Sequence, residues 1–257
     1  MLHCVTLENP EAVVHEAAKR ILHLVATAQE AKRDFHFVLS GGTTPKRLYR
    51  ILADANISWD HVHFFWGDER CVHLDHTDSN YKMAHDTFLS KINVSASHVH
   101  RLQGEIAPPL SAHNYEKTIQ AIVGLSHFVG HDKQCPYTGI PSFDLVLLGM
   151  GADGHTASLF PETEALKAKT WVVANFVPKL SGYRLTLTPI LLNQAANIFF
   201  LVTGSDKAKI LQAVLEGPKN TDLLPSQLIH GETGNVTWII DKAASACLGM
   251  IHDKQRT

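Results

Sequence analysis

Apolar residues at 13, 14, 17, 18, 21, 22, 24, 25 and 28 recur at helical spacing along Pro10–Lys32. The pattern predicts one long helix with a broad buried stripe. Beyond it, short apolar runs alternate with helical stretches. Phe35–Leu39, His61–Trp66, Phe143–Leu148, Thr170–Val177, Tyr183–Thr188, Asn197–Thr203 and Val236–Ile240 read as strands, with Val99–Leu102 a shorter one. Residues 46–55, Tyr81–Leu89, Ser111–Val123, Ile190–Ala195 and Ala208–Glu216 read as helices, and Leu223–Ile229 as irregular. Alternation of this kind predicts an α/β fold: an open parallel or mixed sheet flanked by helices, Rossmann-like. No internal repeat or long linker divides the chain, so a single domain over 1–257 is expected, with 124–141 a loop insertion.

Four strands empty into polar, glycine-bearing loops. The first is Ser40-Gly41-Gly42-Thr43-Thr44-Pro45, ahead of a helix on which Thr44 suits the N-cap and Pro45 the first turn. Its amides and hydroxyls make either a phosphate cradle or an ordinary strand-to-helix turn. The second is Gly67-Asp68-Glu69-Arg70. Arg70 there suits a pocket oxygen, or the three charges form a solvated ion-pair cluster. Downstream, Asp78 or Ser79 caps the helix at Tyr81. The third loop, Gly149–Gly154, holds Asp153 and leads to His155. The fourth, Gly204-Ser205-Asp206-Lys207, sets a Lys at the positive end of a helix, a cost that an anionic ligand would relieve. In Tyr183–Thr188 the alternation puts Arg184 on the polar face.

Composition narrows the partners. With 45% hydrophobic residues the 257-residue chain has material for a sizeable core. A net charge of −2 provides no global field for nucleic acid or membrane. No basic n-region with an apolar stretch marks a signal peptide, and no 18-residue apolar run marks a membrane span. Cysteines 4, 71, 135 and 247 lack C-x-x-C spacing, which fits a reducing, cytoplasmic compartment. Seventeen histidines carry no complete ligand motif, so no metal site is expected and they read as scattered structural or surface residues.

Leu39–Pro45 (LSGGTTP), Trp66–Val72 (WGDERCV) and Leu147–Pro161 (LLGMGADGHTASLFP) resemble, in order and spacing, the 6-phosphogluconolactonase family. YRLTLT and the Gly204–Lys207 turn match as well, so the resemblance spans nearly the whole chain. The related glucosamine-6-phosphate deaminases carry Asn-Glu-Pro-Gly after the His, with a Glu that serves ring opening. Here the run is Ser158-Leu159-Phe160-Pro161, and Glu162 is out of position. Lys82 stands where the family often has Gly. The resemblance implies hydrolysis of 6-phospho-D-glucono-1,5-lactone in the oxidative pentose phosphate pathway, without a cofactor, the small sugar-phosphate lactone being the partner. A deaminase-like enzyme and a non-catalytic sugar-phosphate-binding module are the alternatives.

Carried onto these residues, the chemistry needs an activated water, a stabilised oxyanion and a protonated leaving oxygen. His155 suits the proton transfers. Asp153 either orients it or shapes the loop. Arg70 and the amides of Gly149–Gly154 are rival oxyanion donors. Ser40, Gly41, Gly42, Thr43 and Thr44, with Arg184 and Lys207, would hold the phosphate. A covalent route through Ser158 or Ser40 competes, although neither lies in G-x-S-x-G.

Overall fold

The computed structural model describes residues 2–124, 139–232 and 234–249. Its main sheet has six parallel strands: β1 (Leu2–Leu7), β2 (Phe35–Leu39), β3 (Val62–Trp66), β5 (Leu145–Leu148), β8 (Asn197–Val202) and β9 (Asn235–Asp241). They lie in the order β1-β9-β8-β5-β2-β3. A smaller antiparallel sheet holds β4 (Asp68–Arg70), β7 (Gly182–Leu187) and β6 (Val172–Val177) in that order. The inner strands β5 and β8 are apolar and buried nearly throughout, as parallel strands covered on both faces must be.

The chain runs from β2 outward to β3, then returns past β2 to lay down β5, β8 and β9. β2 and β5 are therefore neighbours whose following loops diverge. That is the switch point at which an open α/β sheet forms a crevice. The loops after these two strands are Ser40–Thr44 and Gly149–His155.

Helix α1 (Pro10–Glu30) buries Val13, Val14, Ala17, Ala18, Ile21, Val25 and Ala28. Its N-cap Asn9 accepts from the Ala12 amide. It packs against β8, β9 and α2 (Thr43–Ala53). Helix α4 (Pro108–Ile122) covers β6 and β7 instead. One contiguous apolar core runs through both sheets.

Several expectations are corrected. Leu2–Leu7, not predicted, pairs in parallel with β9 along its whole length. Val99–Leu102 is no strand; it makes one isolated bridge, Val99 to Phe64. Helix α2 starts at Thr43, and Gly42 with φ 105° is its N-cap, so Thr44 is inside the first turn. Asp68–Arg70 is not a solvated cluster: Asp68 and Glu69 are buried and pair with β7. On β7 Thr186 is buried, as is Thr188 just beyond it, so the alternation there does not separate solvent from core. The proposed insertion at 124–141 falls mostly outside the described residues. Among the described residues no helix is long and apolar enough to cross a membrane.

Candidate active site

A cavity of about 420 Å³ opens at the carboxyl ends of β2 and β5. Ser40, Gly41, Gly42, Thr43 and Thr44 form one wall; Arg70, His155 and Lys207 line the others. Eight of the residues singled out in the sequence therefore face one space.

Each wall is fixed by buried polar contacts. The Ser40 amide donates to Tyr49 Oη (2.9 Å), and that hydroxyl donates back to the Ser40 carbonyl (2.7 Å). Tyr49 lies on α2 and is fully buried, so the strand exit and the helix it feeds are tied together. Gly41 is required by close approach. A Cβ there would stand 2.0 Å from Asn80 Oδ1. The α2 N-terminus has no side-chain cap, which leaves its first amides for a ligand. Thr44 Oγ1 hydrogen-bonds Thr203 Oγ1 (3.0 Å), joining this wall to the end of β8.

The GDER segment buries its two acids and leaves Arg70 on the cavity wall. Glu69 accepts from the amides of Arg70 (2.8 Å), Asn80 (2.7 Å) and Tyr81 (2.8 Å) and from Ser79 Oγ (3.1 Å). Burial holds its carboxyl above the usual carboxylate range, an effect those amides offset only in part. It holds the start of α3 (Asn80–Thr87), where Ser79 is the N-cap. Asp68 also lines the cavity and accepts from Ser158 Oγ (2.7 Å). Arg70 Nη1 donates to the Asp78 carbonyl (2.5 Å), which steers the guanidinium along the cavity wall.

His155 stands on the loop after β5. Its Nδ1 contacts Asp153 Oδ1, and its amide donates to the same oxygen (3.3 Å). The ring stacks on Phe160 at 4.2 Å. Gly151 permits this, since a Cβ there would lie 2.1 Å from His155 Nδ1. Burial holds the imidazole down at about 4; Asp68 opposes that, while Lys207 and Arg70 add to it. The ring is thus neutral at pH 7. With Nδ1–H given to Asp153, the lone pair sits on Nε2.

Three open questions narrow here. Asp153 does not line the cavity; it stands behind His155, with Oδ1 on the ring's Nδ1. The amides of Gly151 and Gly154 are already given to the carbonyls of His155 (2.8 Å) and Gly151 (3.1 Å). That reduces the backbone's claim as oxyanion donor and favours Arg70. Arg184 does not line the cavity. It lies across the β4–β7 ladder from Arg70, and its Nη1 donates to the Tyr183 carbonyl (3.1 Å). Lys207 does line it and pairs with Asp206 at 3.3 Å. The turn carrying Lys207 is held by Asp241, which accepts from the Gly204 amide (3.1 Å).

Asp68, Asn80 and Thr203 went unmarked in the sequence as cavity residues. Asp68 had a visible signal, an acid directly after an apolar strand; the other two had none. Among the described residues no group of three or more His, Cys, Asp or Glu side chains is arranged to hold a metal ion.

The family described as glucosamine-6-phosphate isomerases/6-phosphogluconolactonase matches residues 8–238. A 6-phosphogluconolactonase of Nostoc sp. is 36% identical over 95% of this chain and 97% of its own length. One from Synechocystis sp. is 34% identical over 93% and 95%. The solved structure of 6-phosphogluconolactonase from Trypanosoma cruzi superposes with a TM-score of 0.85 at 30% identity, covering 96% of this chain and 97% of that one.

Proposed function

The chain belongs to the family of glucosamine-6-phosphate isomerases and 6-phosphogluconolactonases, and we propose that it acts in the lactonase branch. It is a hydrolase that converts 6-phospho-D-glucono-1,5-lactone to 6-phosphogluconate, the second step of the oxidative pentose phosphate pathway. The observation that carries the mechanism is a neutral His155, backed by Asp153, in one cavity with an uncapped helix N-terminus and Lys207.

The phosphate dianion sits on the Gly41–Thr44 amides and hydroxyls, with Lys207 as counter-charge. It displaces Asp206 from Lys207. The lactone ring then reaches toward His155 and Arg70. Nε2 takes a proton from water as the water oxygen bonds to the lactone carbonyl carbon. The oxyanion that forms is met by Arg70. Its collapse breaks the bond to the ring oxygen, which receives the proton from His155. Phosphate held at one end turns an encounter into a positioned attack at the other. Arg184, expected from the sequence to help hold the phosphate, stands beside Arg70 on the neighbouring strand and outside the cavity lining, so the phosphate's counter-charge falls to Lys207.

Ser158 is disfavoured as a nucleophile, because its hydroxyl is spent on Asp68 and it is 2% exposed. Glu162 is exposed and does not line the cavity. That speaks against deaminase-type ring opening.

The test is to generate the lactone in situ with glucose-6-phosphate dehydrogenase and follow 6-phosphogluconate with and without the protein. Acceleration over the buffer rate, lost in His155→Ala, is the expected result. A rate equal to the buffer rate overturns the reading.

A further inference from the structure

We propose that Lys179 is a positioning residue that locks the Asp153–His155 pair, acting on it from the turn between β6 and β7. The inference rests on the reading of His155 as the base.

Residues Pro178–Leu180 form a single 3-10 turn, and Ser181, at φ 47°, returns the chain into β7. The turn carries Lys179 across to the loop after β5. Its Nζ pairs with Asp153 Oδ2 and lies 4.7 Å from the centre of the Phe160 ring. Phe160 in turn stacks on His155. The imidazole is therefore gripped twice, on its Nδ1 edge by Asp153 and on its face by Phe160. One ammonium touches both grips.

The two oxygens of Asp153 are divided: Oδ1 takes His155, and Oδ2 takes Lys179. A carboxylate with one oxygen free rotates about χ2 with little resistance. Anchoring Oδ2 fixes the direction of Oδ1, and with it the tautomer and tilt of the ring. The ammonium also offsets the Asp153 charge, so the pair does not capture a proton at rest. The charged groups around the ring are Asp153 on its own loop, Asp68 and Arg70 on β4, Lys207 from the turn before α6 (Ala208–Glu216), and Lys179 acting through Asp153. Lys179, like Asp153, does not line the cavity, so the lactone does not need to touch it. Its side chain is 51% exposed, so it contributes little to the core, and replacing it tests function without testing folding.

The experiment compares wild type, Lys179→Ala, Lys179→Arg and His155→Ala in the lactone assay between pH 4 and 8. Alongside it, 6-phosphogluconate binding, Tm and the imidazole ring resonances of His155 by 15N NMR are measured. For Lys179→Ala, kcat falls about tenfold with KM held within about twofold. The acid limb of its pH profile moves up by about one unit, as expected when a nearby positive charge is lost. The Nδ1–H resonance broadens or exchanges. Lys179→Arg restores kcat and the limb, and product binding and Tm stay at wild-type values. The proposal is overturned if Lys179→Ala keeps wild-type kcat, limb and Nδ1–H signal while His155→Ala is inactive. It is also overturned if kcat falls only together with Tm and product binding. If His155→Ala itself hydrolyses lactone at the wild-type rate, the base reading fails, and the NMR comparison still reports whether Lys179 fixes the ring.

Discussion

Half-buried imidazoles sit at opposite ends of the same sheet. At the amino end of β2 and β3, His36 and His63 are register partners, and His98 and His100 close over them. His63 Nδ1 and His100 Nε2 are 3.0 Å apart, and the His63 and His98 rings stack at 4.1 Å. At the carboxyl end of β5 stands His155. Burial lowers His63, His100 and His155 alike, each to about 4. The amino-end rings face one another and Phe65, and neighbouring imidazoles push His63 and His100 further down. Carboxylates reach this cluster too, Asp144 at 3.5 Å from His36 Nδ1 and Asp34 at 3.9 Å from His63 Nε2. His155 likewise has a carboxylate on Nδ1, but it lines the cavity and the amino-end rings do not. A depressed imidazole is thus a consequence of burial. Chemistry needs, in addition, an oriented tautomer and a place for substrate. The histidines first read as scattered are partly this structural cluster.

The contrast is broken most severely at His155. His155→Asn should lower kcat by about 10²–10⁴, the usual worth of an acid–base group, with little change in Tm. Steady-state kinetics beside calorimetry check both halves. Lys207→Ala comes next. Loss of a charge-assisted contact worth about 1.5–3 kcal/mol raises KM about 10- to 150-fold, while kcat changes less. Equal falls in kcat and kcat/KM would instead place Lys207 at the reacting end. Ser158→Ala should destabilise by about 1–3 kcal/mol, because Asp68 loses a buried donor, yet retain hydrolysis. Accumulation of an acyl-enzyme on Ser158 would refute the water route.

The smallest effect sharpens the other side of the comparison. An imidazole whose folded-state value lies below its unfolded value of about 6.5 is protonated first in the unfolded chain. Stability from His63 and His100 is full above pH 6.5 and declines as pH falls toward 4. His63→Leu should flatten that decline in melts recorded from pH 7 to 4.5, with kcat at pH 7 unchanged. Activity per folded molecule holds from pH 7 to 5, since His155 stays neutral there.

Legibility followed chain distance. Phe35–Leu39 and Ala208–Glu216 were readable to the residue, because apolar periodicity and flanking Gly are local signals. The cradle and the Asp153–His155 loop were readable for the same reason: each is one short run after a strand. β4 was not. A three-residue charged strand has no periodicity, and β7, which stabilises it, comes more than a hundred residues later. Thr44 as N-cap failed because Gly42 alone takes the φ of 105° that the turn demands.

Alternation of apolar runs, glycine exits and helix starts was enough to specify an α/β sheet with its reactive loops at the strand ends. Those features depend on residues within one turn or strand of each other. Which loops meet was settled by the order of the strands. Crossing back past β2 to place β5 brings His155 opposite the Ser40–Thr44 wall and sets Ser158 against Asp68, 90 residues away. The same packing seats Asn80 where a Gly41 side chain would be and Lys179 on Asp153, 26 residues away. Such contacts arise when separate segments are buried against a common core, where each polar group must find its partner from whatever element is adjacent.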